Sequence, residues 1–267
     1  MKKQVKVLLG FLCFFFICVF AYSGYRMYDI LHGYSAASKQ NDGLRNQFVS
    51  VGAPQQNAAQ DPVQKELELS PISVDFDALL EQNKDVEGWL YSEDTTINYV
   101  VVKGKDNDYY LRRFLDGTHS TAGTLFIDYL CYDDFSGKNT IIYGHNMHDG
   151  SMFASILSYE KQEYYDEHPV LYLNTPTQDY KIEVFSGFVT DASSDVYTIG
   201  FVNDEYYTEY LAKMRSLSNF RSDVEVTAED RIITLSTCSY VFNNARYVVM
   251  GKLVPLDSPI ESTAPGV

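Results

Sequence analysis

Near its C-terminus the chain carries Asp230-Arg-Ile-Ile-Thr-Leu-Ser-Thr-Cys238-Ser-Tyr-Val-Phe-Asn-Asn-Ala-Arg246-Tyr-Val-Val-Met-Gly-Lys252. Two β-branched or apolar runs, residues 232–235 and 247–250, flank a segment whose Asn243-Asn244 pair supplies turn chemistry, so the stretch reads as strand, loop, strand. Folded as antiparallel neighbours, the two strands place Cys238 at one strand end and Arg246 at the facing strand start. A thiol and a guanidinium then meet at one rim of a sheet. The thiolate is the nucleophilic form of cysteine, and a fixed positive charge beside it favours that form. Arginine stays charged at any working pH and carries several donors suited to a developing oxyanion. The pair still needs a base, and the best candidate is His145, at the end of the apolar run Ile141-Ile142-Tyr143-Gly144. Taken singly, a buried cysteine is ordinary core, a histidine ordinary structure and a strand arginine a solvated face. Their common position at strand ends makes them a candidate catalytic set.

The chain has 267 residues, room for one domain of roughly 180 residues and accessory segments. Aromatic residues make up 15%, mostly Tyr and Phe, which favours strands. The net charge of −15 argues against nucleic acid as a partner, since no basic stripe offsets phosphate repulsion. Of four cysteines, Cys13 and Cys18 lie in an apolar N-terminal run, and Cys131 and Cys238 lack zinc-site spacing. A Cys131–Cys238 disulfide is the alternative to two free thiols. Asp133-Asp134 raises calcium as a rival to a solvated loop, but no ligand set surrounds it, so no metal or other cofactor is expected.

Residues 1–6 carry Lys2, Lys3 and Lys6, and residues 7–25 contain no charge. Nineteen helical residues span about 28 Å, close to the hydrocarbon thickness of a bilayer. The expectation is a single-pass signal anchor over 7–25, with a cytoplasmic N-terminus and the rest translocated. The rival is a cleaved signal peptide ending at Val19-Phe20-Ala21. Residues 26–71 read as a stalk or linker, with a juxtamembrane helix possible at its start and a polar stretch from Val51 to Pro62. The globular domain is expected over 72–256, opening with a short helix capped by Asp75 or Ser73. Strands follow around 88–91, 97–102, 124–128, 139–144, 170–173 and 180–185, with short helical segments near 105–114, 152–157, 160–167 and 204–217. Residues 257–267 read as a disordered tail. Many short strands with few short helices point to a mainly β fold, a closed or nearly closed barrel.

Thr234-Leu-Ser-Thr-Cys238 followed by Arg246, with Tyr143-Gly-His145-Asn upstream, resembles the sortases over residues 72–255 or so. Lys105-Asp-Asn-Asp-Tyr-Tyr-Leu111, the helix before the cysteine strand and the long N-terminal extension resemble class B. The resemblance implies an eight-stranded β-barrel with N-terminal helices, held at the outer face of the membrane of a Gram-positive bacterium. It implies a cysteine transpeptidase that cuts the C-terminal sorting signal of surface proteins after Thr and joins the Thr to an amine of a peptidoglycan precursor. Carried over by position, Cys238 is the nucleophile, His145 the acid/base and Arg246 the oxyanion and substrate-orienting group. Ser236 falls on a substrate-contacting serine. Asn107, Leu111 and Tyr143 fall where class B members line the peptide groove, and Ser193 and Tyr197 on the facing loop. Two rivals use the same three residues: a sortase that polymerises pilins, and an anchored cysteine peptidase that passes the acyl group to water. A non-catalytic adhesion domain is the third rival.

Overall fold

The computed structural model describes residues 2–52 and 67–257. Most of the polar stretch 51–62, and the tail beyond Asp257, lie outside the described residues. The chain opens with α1 (Lys2–Phe48), a single helix of 47 residues, about 70 Å long. Its apolar part holds an 18-residue window of mean hydropathy 2.4, none of it buried against protein. Residues 26–48, read from sequence as the start of a stalk, continue this helix without interruption. From Tyr34 onward it packs on the globular body, burying Ala37 and Phe48 and laying the Arg45 guanidinium 5.8 Å from the Tyr99 ring centre. The packed body therefore begins upstream of residue 72.

A small ribbon follows, β1 (Val49–Val51) antiparallel to β2 (Ile72–Val74), then α2 (Phe76–Gln82), capped by Asp75 through the Ala78 amide. The remaining strands are β3 (Val86–Tyr91), β4 (Asn98–Val102), β5 (Leu125–Ile127), β6 (Asn139–Tyr143), β7 (Val170–Asn174), β8 (Tyr180–Asp191), β9 (Ile232–Cys238) and β10 (Ala245–Pro255). They close into an eight-stranded barrel, as the resemblance implies, in the order β10-β8-β7-β3-β4-β5-β6-β9. Short helical turns at Tyr110–Arg112, Ala154–Glu160 and Asp195–Tyr197, with α3 (Gln162–Glu167) and α4 (Asp204–Ser216), fill the connections. The strand expected to stop at residue 185 runs on through Ser186-Gly187 to Asp191, because β10 pairs along its full length.

One apolar core fills the barrel, including Leu90, Val101, Leu125, Ile141, Leu235 and Val249. Two further clusters coat its outside. One joins Phe48, Leu79, Trp89 and Val102 under α1 and α2; the other joins Phe188, Tyr207, Met214, Ile232 and Val248 under α4. β9 is thus covered on both faces over most of its length, which explains an unbroken apolar run where one-sided burial would give alternation. Leu111 and Tyr143 pack at the margin of the first outer cluster and Tyr197 at that of the second. These three of the candidate groove residues therefore sit at the seam between the two.

Candidate active site

Arg246 stands directly opposite Cys238 in the β9–β10 ladder. Directly paired residues project their side chains to the same face, so the thiol and the guanidinium share a side of the sheet. The loop that makes this possible turns through Asn244, whose φ of +62° lies in the left-handed region that asparagine tolerates. Arg246 is half-buried and donates from Nη1 to the Ala245 carbonyl at 3.1 Å.

His145 reaches the same place by a different route. β6 pairs parallel to β9, with Tyr143 beside Ser236. The contact continues past the strand end: the Gly144 amide donates to Ser236 O at 3.1 Å, and Thr237 Oγ1 donates to Gly144 O at 2.7 Å. Asn146 Nδ2 donates to Cys238 O at 2.9 Å. Residue 145 is thereby bracketed by bonds to residues 236, 237 and 238. A Cβ on Gly144 would lie 2.5 Å from Leu125 and 2.6 Å from Phe153, so only glycine lets the chain pass this closely.

The imidazole Nε2 lies 2.8 Å from the Leu111 carbonyl oxygen. A carbonyl can only accept, so Nε2 carries the proton of the neutral ring and the Nδ1 lone pair is left for chemistry. Burial lowers the proton affinity of His145, the Leu111 carbonyl works against that by favouring the imidazolium, and the Arg112 charge lowers it further. Burial therefore favours the neutral ring over the imidazolium. Cys131 is a different kind of thiol. It is 3% exposed, its Sγ accepts from the Ile141 amide at 3.4 Å, and burial pushes its pKa up to about 11. Cys131 and Cys238 are both free, which corrects the disulfide alternative.

The seam flanking these three residues is lined from both sides. Tyr197 and Ser236 hydroxyls are 2.9 Å apart, and the Tyr197 and Tyr143 rings face each other at 6.1 Å. Tyr143 donates to Asp128 Oδ2 at 3.0 Å, and Asn107 Nδ2 donates to the same oxygen at 2.9 Å. Burial holds both tyrosines protonated, raising their pKa values well above the ordinary one. Asn107 also accepts from the Tyr129 amide at 3.0 Å, so it ties two loops together; the cap-like role at this turn is taken by Asp106, which accepts from the amides of Asp108 and Tyr109. Ser193 stands apart: it is exposed, and both its amide and its hydroxyl bond Asp191. His148, three residues beyond His145, is exposed and stacks on Tyr240, outside the cluster.

Three groups that the sequence does not single out complete the arrangement: the Leu111 carbonyl, the Asn146 amide and the Thr237 hydroxyl. Only the last two carry a sequence signal, by adjacency to His145 and Cys238. Among the described residues no three His, Cys, Asp or Glu side chains gather as a cation site. Asp133 pairs with Lys103, and Asp134 accepts from the Ser136 amide.

The sortase domain family matches residues 90–254. A sortase B of Listeria monocytogenes is 41% identical over 176 residues, which cover 64% of this chain and 71% of that one. Among solved structures, sortase B of Bacillus anthracis in complex with AAEK1 superposes with a TM-score of 0.71 at 35% identity, over 84% of this chain and 99% of that one. A Staphylococcus aureus sortase B–substrate complex gives 0.65 at 34%, over 68% and 85%. The barrel, its order of elements and these likenesses agree: the chain belongs to the sortase family and, within it, to class B.

Proposed function

We propose that this class B sortase, a cysteine transpeptidase that processes sorting signals, uses Cys238, His145 and Arg246 to cut its substrate after Thr. Cys238 Sγ passes its proton to His145 Nδ1 and attacks the Thr carbonyl carbon. Arg246 donors take the tetrahedral oxyanion. The C–N bond breaks, and the His145 imidazolium gives its proton to the departing amine, leaving a thioester on Cys238. An incoming amine loses a proton to His145, attacks the thioester and releases the thiolate, so one amide replaces another. Asn107, Leu111, Tyr143, Tyr197 and Ser236 hold the peptide along the seam, and Ser193 contacts it from the loop above.

The observation that carries this reading is the direct Cys238–Arg246 pairing beside a His145 fastened to the same strand. Burial of His145 favours its neutral ring, the form that accepts the thiol proton. The acceptor is the amine of a peptidoglycan precursor; a relative has been solved complexed with triglycine, a ligand that carries a free amine. The apolar part of α1 spans the membrane, with Lys2, Lys3 and Lys6 on the cytoplasmic side and the barrel outside.

The test is cleavage of a sorting-signal peptide with and without an added oligoglycine amine. Wild type should give an amide product with the amine present, and Cys238→Ala should give no cleavage while unfolding at the same temperature. Cleavage by the alanine variant, or acid product alone at saturating amine, would refute the transpeptidase reading.

A further inference from the structure

The barrel's attachment to α1 fixes which of its surfaces meets the bilayer. A Cβ built on Gly33 would lie 3.3 Å from Thr121 Oγ1, and Gln40 Nε2 donates to Asp116 at 3.4 Å. The segment 116–121 therefore runs along the helix between residues 33 and 40. Gly33 is only eight residues past the end of the uncharged stretch at Tyr25, about 12 Å of helix rise. The headgroup layer takes up roughly half of that distance. What remains is shorter than a Debye length at physiological salt, about 8 Å, and any helix tilt shortens it further.

The stretch 108–121 is formally neutral, Arg112 and Arg113 balancing Asp108 and Asp116, but Asp116 is engaged by Gln40 on α1 and by Thr118, while the two arginines gather with His119 at one pocket. Arg113 and His119 are bridged across its base, and with Arg112, Leu111 and Asp108 they line a pocket of about 380 Å³. Arg112, Arg113 and His119 are all exposed. Arg113 lies 4.6 Å from the Tyr109 ring centre and donates to the Tyr109 carbonyl at 3.4 Å. Neither contact neutralises its charge. Arg112 makes no hydrogen bond or ion pair among the described residues. Asp108 is the one carboxylate lining the pocket, so the two guanidiniums leave it net positive.

We infer that Arg112, Arg113 and His119 take the phosphate of an anionic phospholipid headgroup and dock the barrel on the outer surface of the membrane. The inference rests on α1 spanning the bilayer, as proposed above. Because Leu111 both lines the pocket and accepts from His145, docking sits one residue from the catalytic centre. A bound anion would offset the Arg112 charge that disfavours the imidazolium, raising the proton affinity of His145.

The test is hydrogen–deuterium exchange of the full chain in nanodiscs of phosphatidylcholine alone or mixed with phosphatidylglycerol. Attraction of a basic side chain to an anionic surface is worth about fivefold in occupancy per residue. The amides of residues 108–121 should therefore exchange at least about fivefold more slowly in the anionic discs. Raised salt should remove the difference, and so should Arg112→Gln with Arg113→Gln. Equal exchange in the two discs, or protection that survives the double substitution, overturns docking. Protection by inorganic phosphate in neutral discs, equal to that from the anionic lipid, would assign the pocket to soluble phosphoryl compounds and also overturns it. A chain that fails to co-elute with nanodiscs refutes the anchor and the docking geometry together, whereas co-elution without protection refutes docking alone.

Discussion

Gly123→Ala tests whether the Leu111 carbonyl positions His145. Gly123 has φ +61°, and a Cβ there would lie 2.6 Å from the carbonyl oxygens of both Leu111 and Tyr110. Two costs follow. An alanine in the left-handed region loses about 1–2 kcal/mol. The clash is with backbone, which cannot rotate away as a side-chain tip can, so overpacking adds about 1–3 kcal/mol. The expected destabilisation is about 2–5 kcal/mol, the sum of these. Gly117→Ala is the control. Its φ is +80°, but the nearest atom to its Cβ would be Tyr109 Oη at 3.4 Å, an ordinary contact, so it pays only the strain. The catalytic consequence separates the two variants further. Relief of the Gly123 clash must move the Leu111 carbonyl, the acceptor for His145 Nε2. Single-turnover thioester formation, measured at a temperature where both variants are folded, should fall at least tenfold in Gly123→Ala and stay within about twofold of wild type in Gly117→Ala, since a hydrogen bond to a charged partner is worth about 1.5–3 kcal/mol. The reasoning is refuted if the two variants unfold at the same denaturant concentration, or if folded Gly123→Ala acylates at the wild-type rate.

Further outcomes follow from single contacts. Asn146→Ala removes the donor to Cys238 O and should cost about 1 kcal/mol of stability and about fivefold in kcat/KM; urea unfolding and peptide kinetics check both. Of the two thiols in the globular body, only Cys238 should react with iodoacetamide in the folded protein, since Cys131 is buried with its pKa near 11; peptide mapping reads the site. Glu87, half-buried near Asp133, has its pKa raised from 4.5 to about 7, by burial first and neighbouring carboxylates second. The folded state thus binds the proton more tightly than the unfolded one, so this stabilisation is complete below pH 4.5 and is lost as pH rises through 7. Solvent screening reduces it to about 1–2 kcal/mol, and Glu87→Gln should flatten stability between those pH values in unfolding titrations.

Much of this was legible in the residue order because the informative segments are local. The β-branched runs ending at Cys238 and starting at Arg246 share one short loop, so their pairing needs no distant partner to be known. The strand before His145 was equally plain. Its adjacency to β9 was not, because that pairing is parallel and joins segments some ninety residues apart; the shared strand-end position and the family resemblance suggested that His145 and Cys238 meet, but neither gave the register. The uninterrupted helix to Phe48 was hidden for another reason. Its polar stretch beyond residue 34 resembles a linker in composition, and a few apolar residues, Tyr34, Ala37, Leu44 and Phe48, form its packed face. β1 and β2 are three residues each and pair across an insertion, below what periodicity can resolve. The Leu111 carbonyl is a backbone group, invisible to any search for side chains that carry chemistry. Ser193 was chosen by residue type and loop position; that Asp191 engages both its amide and its hydroxyl was not readable from either.

The central claim is that Cys238, His145 and Arg246 act as one unit. It is tested most directly by intact-protein mass spectrometry of the enzyme mixed with a Thr-containing sorting-signal peptide and no amine acceptor, followed by peptide mapping. The expected result is one hydroxylamine-sensitive acyl adduct on Cys238 in the wild type, formed about 10²–10³-fold more slowly in His145→Ala and in Arg246→Ala. An adduct on another residue, or an unchanged rate of Cys238 acylation in either variant, would contradict it.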